Sequence, residues 1–156
     1  MKSYLIVRRY EYEEPHNTQL EFVISNGLFS GSKDIYCGVK QISDLGKALK
    51  IFPANIHDEY RFKYGSERTK DRYYRYFILR AYITDSLGHC AIQFHINQNM
   101  LEPHEGLCKF SIKADAAAIN RLGDLFLKFS ELRHLEFYWS PTDEQLYEYH
   151  HSKYTF

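Results

Sequence analysis

The alternation of apolar and polar positions is clearest between residues 73 and 97, where it predicts two long strands joined by a tight turn. Each arm carries an apolar side chain at every second position. These positions are Phe77, Leu79, Ala81 and Ile83, followed by Cys90, Ile92, Phe94 and Ile96. A period of two is typical of a strand with one buried face. Asp85 and Gly88, both favoured in turns, lie between the arms. We expect this hairpin to lie at the centre of the fold.

The opposite face of the hairpin holds polar and aromatic side chains. They are Tyr74, Tyr76, Arg80 and Tyr82 in the first arm, and His89, Gln93, His95 and Asn97 in the second. Such groups suit a contact surface better than an ordinary solvated one, because tyrosine and arginine are enriched at protein interfaces. The sequence leaves two interpretations open. This face either binds a partner or is covered by a helix or another sheet of the same chain.

The same period of two predicts further strands on both sides of the hairpin. They lie near residues 3–10, 20–24, 29–37, 60–64, 108–112 and 135–139. Helical spacing appears twice, first at Ile42, Leu45, Leu49 and Phe52, then at Ile119, Leu122, Phe126 and Phe129. Pro53 ends the first helix and Asp115 is an N-cap candidate for the second. Ser140 and Pro141 predict a short terminal helix that continues to about Tyr149. The pattern therefore predicts an α+β fold with about seven to eight antiparallel strands and two main amphipathic helices.

The two predicted helices share a glycine on their apolar stripes. Gly46 and Gly123 each come four residues after an isoleucine, at a constant offset of 77 positions. A glycine inside a helix costs roughly 1 kcal/mol relative to alanine. One interpretation is a chance similarity between amphipathic helices. The other is a chain of two similar halves, each made of antiparallel strands followed by a helix. In either case we expect both glycines to lie buried in close packing contacts.

Length and charge restrict the function classes only partly. A chain of 156 residues is expected to form a single domain, with a core at about residues 3–139 and an extension at 140–156. Twenty basic and twenty acidic side chains cancel. The net charge therefore favours neither a nucleic acid nor an anionic membrane as the partner. The segment 61–80 is nevertheless locally basic.

Cysteine usage and hydropathy indicate a cytoplasmic protein. The three cysteines, Cys37, Cys90 and Cys108, have no CxxC spacing, and we interpret them as small core residues in a reducing compartment. The apolar run before Arg8 is too short for a signal peptide, and no run is long enough to span a membrane. We expect no membrane association.

No motif of catalysis, cofactor binding or metal binding appears. The chain has no HExxH, no GxSxG and no phosphate-binding glycine loop. His89 and His95 are six residues apart on one strand, roughly 20 Å, so they cannot share one metal ion. We expect a non-enzymatic protein without a cofactor. His89 remains of interest because it follows the turn and could form a hydrogen bond with Asp85.

The basic aromatic run at residues 72–76, together with Arg80 and Tyr82, resembles a surface for single-stranded nucleic acid. Cations would contact phosphates and rings would stack on bases. The predicted arrangement of two sheets, each followed by a helix, also resembles the Whirly fold, which binds single-stranded DNA. The alternative is that the tyrosines cover the sheet and the arginines are solvated, and the net charge of zero favours that alternative.

Several short segments, taken in order, resemble the WapI-like immunity proteins of bacterial polymorphic and contact-dependent toxin systems. They are the run at 27–31, the first helix, the aromatic strand at 60–64, the strand leading into 85–89, and the strand leading into the second helix. The resemblance covers about residues 18–130. The N-terminal strand, the C-terminal extension and the aromatic richness depart from the family pattern.

This resemblance implies a protein that binds a cognate toxin domain in the cytoplasm and blocks its active site or its access to substrate. It implies no catalytic residue. The expected partner-binding residues are those of the polar hairpin face, namely Tyr74, Tyr76, Arg80, Tyr82, His89, Gln93 and His95. The alternatives are single-stranded nucleic-acid binding through the same face, and a homo-oligomer in which that face pairs with itself.

Overall fold

The computed structural model of the protein describes residues 2–68, 70 and 75–151. Within these residues the chain forms nine strands and two helices. They are β1 (Tyr4–Tyr10), β2 (Thr18–Ser25), β3 (Ser30–Cys37), α1 (Val39–Lys50), β4 (Glu59–Tyr64), β5 (Tyr76–Ile83), β6 (Cys90–Asn97), β7 (Leu107–Lys113), α2 (Ala116–Phe129), β8 (Glu136–Trp139) and β9 (Glu144–Tyr147). Tyr74, one of the expected binding residues, lies outside the described residues.

The strands form two antiparallel sheets, which confirms the α+β class. The five-stranded sheet has the order β3-β2-β1-β8-β9, and the four-stranded sheet has the order β4-β5-β6-β7. The predicted hairpin is β5 and β6, at the centre of the four-stranded sheet. Its register places Phe77 opposite Ile96 and Leu79 opposite Phe94, so the two apolar rows share one face. All eight predicted strands are present.

The predicted terminal helix is wrong, because residues 144–147 form the ninth strand. β9 pairs with β8 and places Leu146 opposite Phe137, against the core. Ser140 does form a cap, but it caps a turn. Its hydroxyl oxygen accepts hydrogen bonds from the backbone N–H groups of Thr142 at 3.2 Å and Asp143 at 3.0 Å. The edge of β8 supplies backbone partners that an isolated four-residue segment lacks, and this tertiary pairing overrides the local helix signal.

The inner faces of both sheets and the apolar stripes of both helices form one shared core. Phe22 of the five-stranded sheet meets Phe77 of the four-stranded sheet, with ring centroids 4.8 Å apart. Helix α2 packs on the inner face of the five-stranded sheet, where Phe126 lies edge-on to Phe137 at 5.2 Å. Both helices therefore belong to the interior side of the sheets, and the outer face of each sheet points away from them.

The two glycines predicted to lie in close packing meet each other where α1 crosses α2. A Cβ atom added at Gly46 would lie 2.9 Å from the Gly123 carbonyl oxygen, and one added at Gly123 would lie 2.7 Å from the Gly46 carbonyl oxygen. At Gly123 it would also lie 2.4 Å from the backbone nitrogen of Lys50. No larger side chain fits without moving backbone, so the prediction of close packing is confirmed. Glycine is present because the helix backbones touch here.

The strand and helix boundaries extend the internal similarity. β7 begins at Leu107 and β3 at Ser30, 77 positions earlier, and α2 begins at Ala116 and α1 at Val39, again 77 positions earlier. In both halves the strand before the helix is an edge strand of its sheet. The Asp115 carboxylate caps α2 by accepting a hydrogen bond from the N–H group of Ala118 at 2.8 Å, as predicted.

Two further expectations concern cysteines and membranes. Cys37 and Cys90 are buried, Cys108 is partly buried, and all three are free thiols that pack with the core. Burial raises the pKa of the Cys37 thiol to about 12. In the described part of the chain, neither helix has the length and the apolar run needed to cross a lipid bilayer.

Candidate partner-binding face

The outer face of the four-stranded sheet is assembled by strand alternation and register. In β5 and β6 the residues that do not enter the core point to this face, and the pairing sets Arg80 beside Gln93 and Ile78 beside His95. Tyr76, Arg80, Tyr82, Gln93 and His95 are all partly exposed. No helix or sheet of the described residues covers them. Of the two interpretations left open by the sequence, the structure favours an uncovered face.

The flanking strands make this face basic, which sequence reasoning missed. They add four exposed cations in register with the hairpin: Arg61, Lys63, Lys109 and Lys113. With Arg80, the strands of this outer face carry five cationic side chains against one carboxylate, Glu59, within the described residues. We call this surface the basic face. The signal was available as alternating Lys and Arg in two separate strands, but only the fold brings those strands to either side of the hairpin.

One end of the basic face is organised around Arg80. Its Nε donates to Glu59 Oε1 at 2.8 Å, and Arg61 Nε donates to the same oxygen at 2.6 Å. These hydrogen bonds, that of Arg61 first, lower the pKa of the Glu59 carboxyl group. The Arg80 guanidinium carbon lies 4.1 Å from the ring centroid of Tyr82, a cation–π contact. Two arginines share one carboxylate, so positive charge remains in excess.

The other end is built around Tyr76 and His95. Their rings meet edge to face with centroids 5.1 Å apart, and Lys63 Nζ lies 5.7 Å from the Tyr76 centroid. Glu67, from the segment that precedes β5, places its Oε1 3.2 Å from His95 Nε2. Burial, and then the charge of Glu67, raises the pKa of the Tyr76 hydroxyl. This end is therefore less basic than the Arg80 end.

Two apolar side chains of the basic face are covered by their neighbours. Ile78 is 7% exposed and Ala91 is 1% exposed, although both point outward, because their longer neighbours close over them. The Tyr82 hydroxyl is fixed by a 3.0 Å hydrogen bond with Ser111 Oγ. A held aromatic side chain loses little conformational freedom when a partner covers it.

His89 directly precedes β6, at the hairpin turn, and forms the contact with Asp85 that the sequence led us to expect. Its Nδ1 lies 2.6 Å from Asp85 Oδ2, and Asp85 Oδ1 accepts from the backbone N–H groups of Leu87 at 2.9 Å and His89 at 3.2 Å. The hydrogen bond with the His89 side chain is the main reason that the pKa of Asp85 is lowered. His89 is exposed and holds the turn together, so it sits at the margin of the basic face.

A cavity of about 460 Å³ opens beside this turn, between it and the start of α2. Its lining includes His89, Cys90, Lys113 and Asp115. Burial raises the pKa of the Cys90 thiol, which opposes formation of a nucleophilic thiolate. Among the described residues no group of three or more His, Cys, Asp and Glu side chains is arranged to hold a metal ion. The lining therefore shows neither an activated nucleophile nor a set of metal ligands.

The outer face of the five-stranded sheet has the opposite charge. One row crosses all five strands in register and consists of Asp34, Glu21, Arg8, Glu136 and Tyr147. It contains three carboxylates and one cation. We call it the acidic row.

The central arginine of the acidic row is paired on both sides. Arg8 Nη1 donates to Glu21 at 2.6 Å and Arg8 Nε donates to Glu136 at 2.9 Å. Arg8 is 5% exposed and Glu136 is 1% exposed. Burial acts to lower the pKa of the Arg8 guanidinium, but the hydrogen bonds to Glu21 and Glu136 outweigh it and raise that pKa. The charges of Arg8, Glu21 and Glu136 are therefore already paired with one another within the protein.

Comparison with known proteins adds no relative, because no family model, no curated protein and no solved structure matches the chain. The fold and the basic face therefore rest on the structure alone. The resemblance to WapI-like immunity proteins remains a hypothesis drawn from the sequence.

Proposed function

We propose that the protein is a non-enzymatic immunity-type protein that binds a cognate toxin domain through its basic face. The observation that carries this proposal is the excess of cations on an uncovered sheet face: five cationic side chains stand against one strand carboxylate in the described residues. Tyr76, Arg80 and Tyr82 supply the residue types that dominate interface energetics. Gln93 and His95 add hydrogen-bonding groups beside them.

The charge of the face defines the partner's surface. A toxin domain with an acidic patch would be drawn to the basic face by long-range attraction, which increases association rates. Arg80 is already held against Tyr82 and Glu59, so little side-chain entropy is lost when it is buried. Neutralisation would follow from covering the toxin's active site or its route to substrate, as the WapI-like resemblance implies.

Single-stranded nucleic acid is the second candidate, and the local positive charge favours it despite the net charge of zero. The arrangement of the rings is less favourable to it. Arg80 already covers one side of the Tyr82 ring, and the Tyr76 ring already contacts His95 and lies near Lys63. A base can stack only on a ring face that is not already covered, so these contacts reduce the ring area open to bases. This geometry favours a protein partner over a nucleic acid.

The decisive experiment compares both partner classes on one set of variants. The protein is titrated with the toxin domain encoded by the adjacent gene, and separately with an oligothymidine of about 20 nucleotides at about 50 mM and about 200 mM salt. Arg80→Ala with Tyr82→Ala is expected to weaken toxin binding at least tenfold, on the order of 1.4 kcal/mol or more. The matched control is Lys40→Ala, because Lys40 is exposed on α1 and pairs only with Asp44 in the described structure.

The two outcomes separate the candidates. Toxin binding that is lost in the double variant and retained in Lys40→Ala supports the immunity function. Salt-sensitive oligonucleotide binding that is weakened by the same double variant, without toxin binding, supports the second candidate. If no toxin gene adjoins this gene, or if the double variant binds the toxin as tightly as the unmodified protein, the proposed function is wrong.

A further inference from the structure

The β3 edge of the five-stranded sheet carries groups that none of the described residues completes. β3 pairs with β2 on one side and with no strand of the described residues on the other. The backbone N–H and C=O groups of an edge strand can pair with another extended chain. Edge strands are common, so the edge alone indicates nothing. The side chains at the inner side of β3 make this edge specific.

Lys33 is the first of these side chains. It stands opposite Phe22, on the face that enters the core, and is 3% exposed. Its Nζ is buried and has no hydrogen-bond partner in the described structure. The pKa of Lys33 is lowered to about 8, chiefly by burial and also by the nearby charge of Arg75, while the charge of Asp34 opposes this. A buried cation without an acceptor is costly, and a carboxylate beside it would remove that cost.

Gly31 is the second feature, two positions earlier on the same inward row. It stands opposite Ile24, and beside it lies a cavity of about 360 Å³ lined in part by Ile96, Leu107 and Cys108. The remaining lining residues are Ser30, Ser32, Gln98 and two glycines, so the cavity presents apolar and polar side chains together. Leu28 precedes Gly31 by three residues, Leu107 lines the cavity, and the two are 73% and 71% exposed. This part of the edge is therefore suited to an apolar side chain from outside the chain.

We propose that the β3 edge binds an extended segment of a partner protein as a sixth strand, with an acidic residue opposite Lys33 and an apolar residue facing the cavity at Gly31. Alternate residues of a strand share a face, so the two must be separated by one residue. Arg75, exposed near Lys33, adds to the preference for an acidic segment. An apolar strand would leave the ammonium unpaired, so the lysine also rejects unsuitable segments.

This surface is separate from the basic face, and the proposal does not depend on the proposed function. A second copy of this chain is a poor occupant. Antiparallel pairing of two β3 strands centred on Lys33 would place two lysines directly opposite each other, which is repulsive. The favoured occupant is therefore an acidic, alternating segment of a different protein.

The test uses a blocked heptapeptide, Thr-Val-Thr-Glu-Thr-Val-Thr, titrated into the full chain. Its sequence reads the same in both directions, so valine faces Gly31 whichever way the strand runs. The control peptide carries glutamine in place of glutamate. We expect the glutamate peptide to bind at least about tenfold more tightly, since a charge-assisted hydrogen bond replaces a neutral one. We also expect it to protect the backbone amides of residues 30–37 from hydrogen exchange.

Two variants make the test specific. Lys33→Met should fold, because it removes a buried unpaired charge, and should lose the preference for glutamate. Gly31→Val should weaken binding of both peptides, since its Cβ would lie 3.0 Å from Cys108 Sγ and fill the cavity. Melting temperatures of both variants establish that they are folded.

The proposal is overturned by several distinct results. They are equal affinity for the two peptides, no binding at millimolar peptide, a glutamate preference that survives Lys33→Met, and amide protection in β5 and β6 in place of β3. The last result would indicate that acidic segments bind the basic face and would leave the proposed function intact. A stable dimer of the unliganded chain in sedimentation, lost on Lys33→Glu, would identify a second copy as the occupant and also overturn it.

Discussion

The outer faces of the two sheets handle charge in opposite ways. On the five-stranded sheet, Arg8 lies between Glu21 and Glu136 with two short hydrogen bonds, and both Arg8 and Glu136 are buried. On the four-stranded sheet, the cations stand mostly in solvent and Glu59 is shared by two arginines. The net charge of zero therefore conceals two sheet faces of opposite charge. Charges in the acidic row maintain the fold, whereas charges of the basic face are available to a partner.

The largest effect on stability is expected when the central arginine of the acidic row is removed, which tests whether this row maintains the fold. Arg8→Met takes the guanidinium away from the buried Glu136 carboxylate, and loss of one partner of a buried pair typically costs about 3–5 kcal/mol. We expect a loss of that size in the free energy of unfolding measured by urea titration. A loss below about 1 kcal/mol would show that the acidic row contributes no more than an exposed pair.

At Lys33 we expect a substitution to stabilise the protein, because Lys33 is a buried cation of the same sheet that lacks a partner in the described structure. Its pKa is lowered from 10.5 to about 8 in the folded protein. The unfolded chain therefore binds more protons between these values, and the stability of the unmodified protein rises with pH across that window and is lowest below it. Lys33→Met should stabilise the protein by about 3 kcal/mol at pH 7.

The gain from Lys33→Met should shrink as the pH rises through 8 towards 10.5, which urea titrations at several pH values would measure. The matched control is Lys109→Met, an exposed lysine of the basic face whose replacement should change stability little at any pH. Equal behaviour of the two variants would contradict the buried, unpaired position of Lys33.

A smaller effect is expected at Tyr10, at the border of the acidic row. Its hydroxyl donates to Glu21 at 3.1 Å, and burial, followed by the charge of Glu21, raises its pKa to about 12. The folded state keeps the phenol proton above pH 10, so this contribution to stability is present below pH 10 and is lost as the pH rises through about 12. Tyr10→Phe should cost about 1 kcal/mol at pH 7. Spectrophotometric titration should show the late-ionising tyrosine disappear.

The smallest effect on stability is expected at Arg80, on the basic face. Arg80→Met removes an ion pair that is 25% and 37% exposed on its two side chains, so the free energy of unfolding should change by no more than about 1 kcal/mol. The same variant should weaken partner binding if the proposed function holds. A loss comparable with that of Arg8→Met would mean that the basic face maintains the fold, and would remove the distinction between the two faces.

The order of strands and helices could be predicted because each element has a regular period of apolar residues. The close approach at Gly46 and Gly123 could be predicted because a glycine on an apolar helical stripe destabilises the helix unless close packing requires it. The contact between His89 and Asp85 was predictable from their positions on either side of one turn. All three depend on residues near each other in sequence or on one periodic element. The local sequence was therefore sufficient to predict these three features.

The rest depends on how the strands pair with one another. Lys63 and Lys109 lie 46 positions apart in the sequence, yet both flank the hairpin on one face. Alternation places Lys33 on the same face as Ile35 and Cys37, but its charge argues against burial, and only the folded structure shows that it is 3% exposed. β9 becomes a strand because β8 offers it an edge. In each case pairing or packing between strands decides the outcome, and no pattern within one strand reports it.

The reciprocal contact between Gly46 and Gly123 also limits how the molecule can move. Each glycine approaches the carbonyl oxygen of the other, so the helix crossing has a local two-fold character at that point. Sliding one helix past the other by a turn, about 5.4 Å, would bring a side chain into a gap that admits only hydrogen. The crossing therefore permits one relative position of the two helices. Because α1 directly follows β3 and α2 directly follows β7, this helix crossing sets the spacing between β3 and β7, which are edge strands of the two sheets.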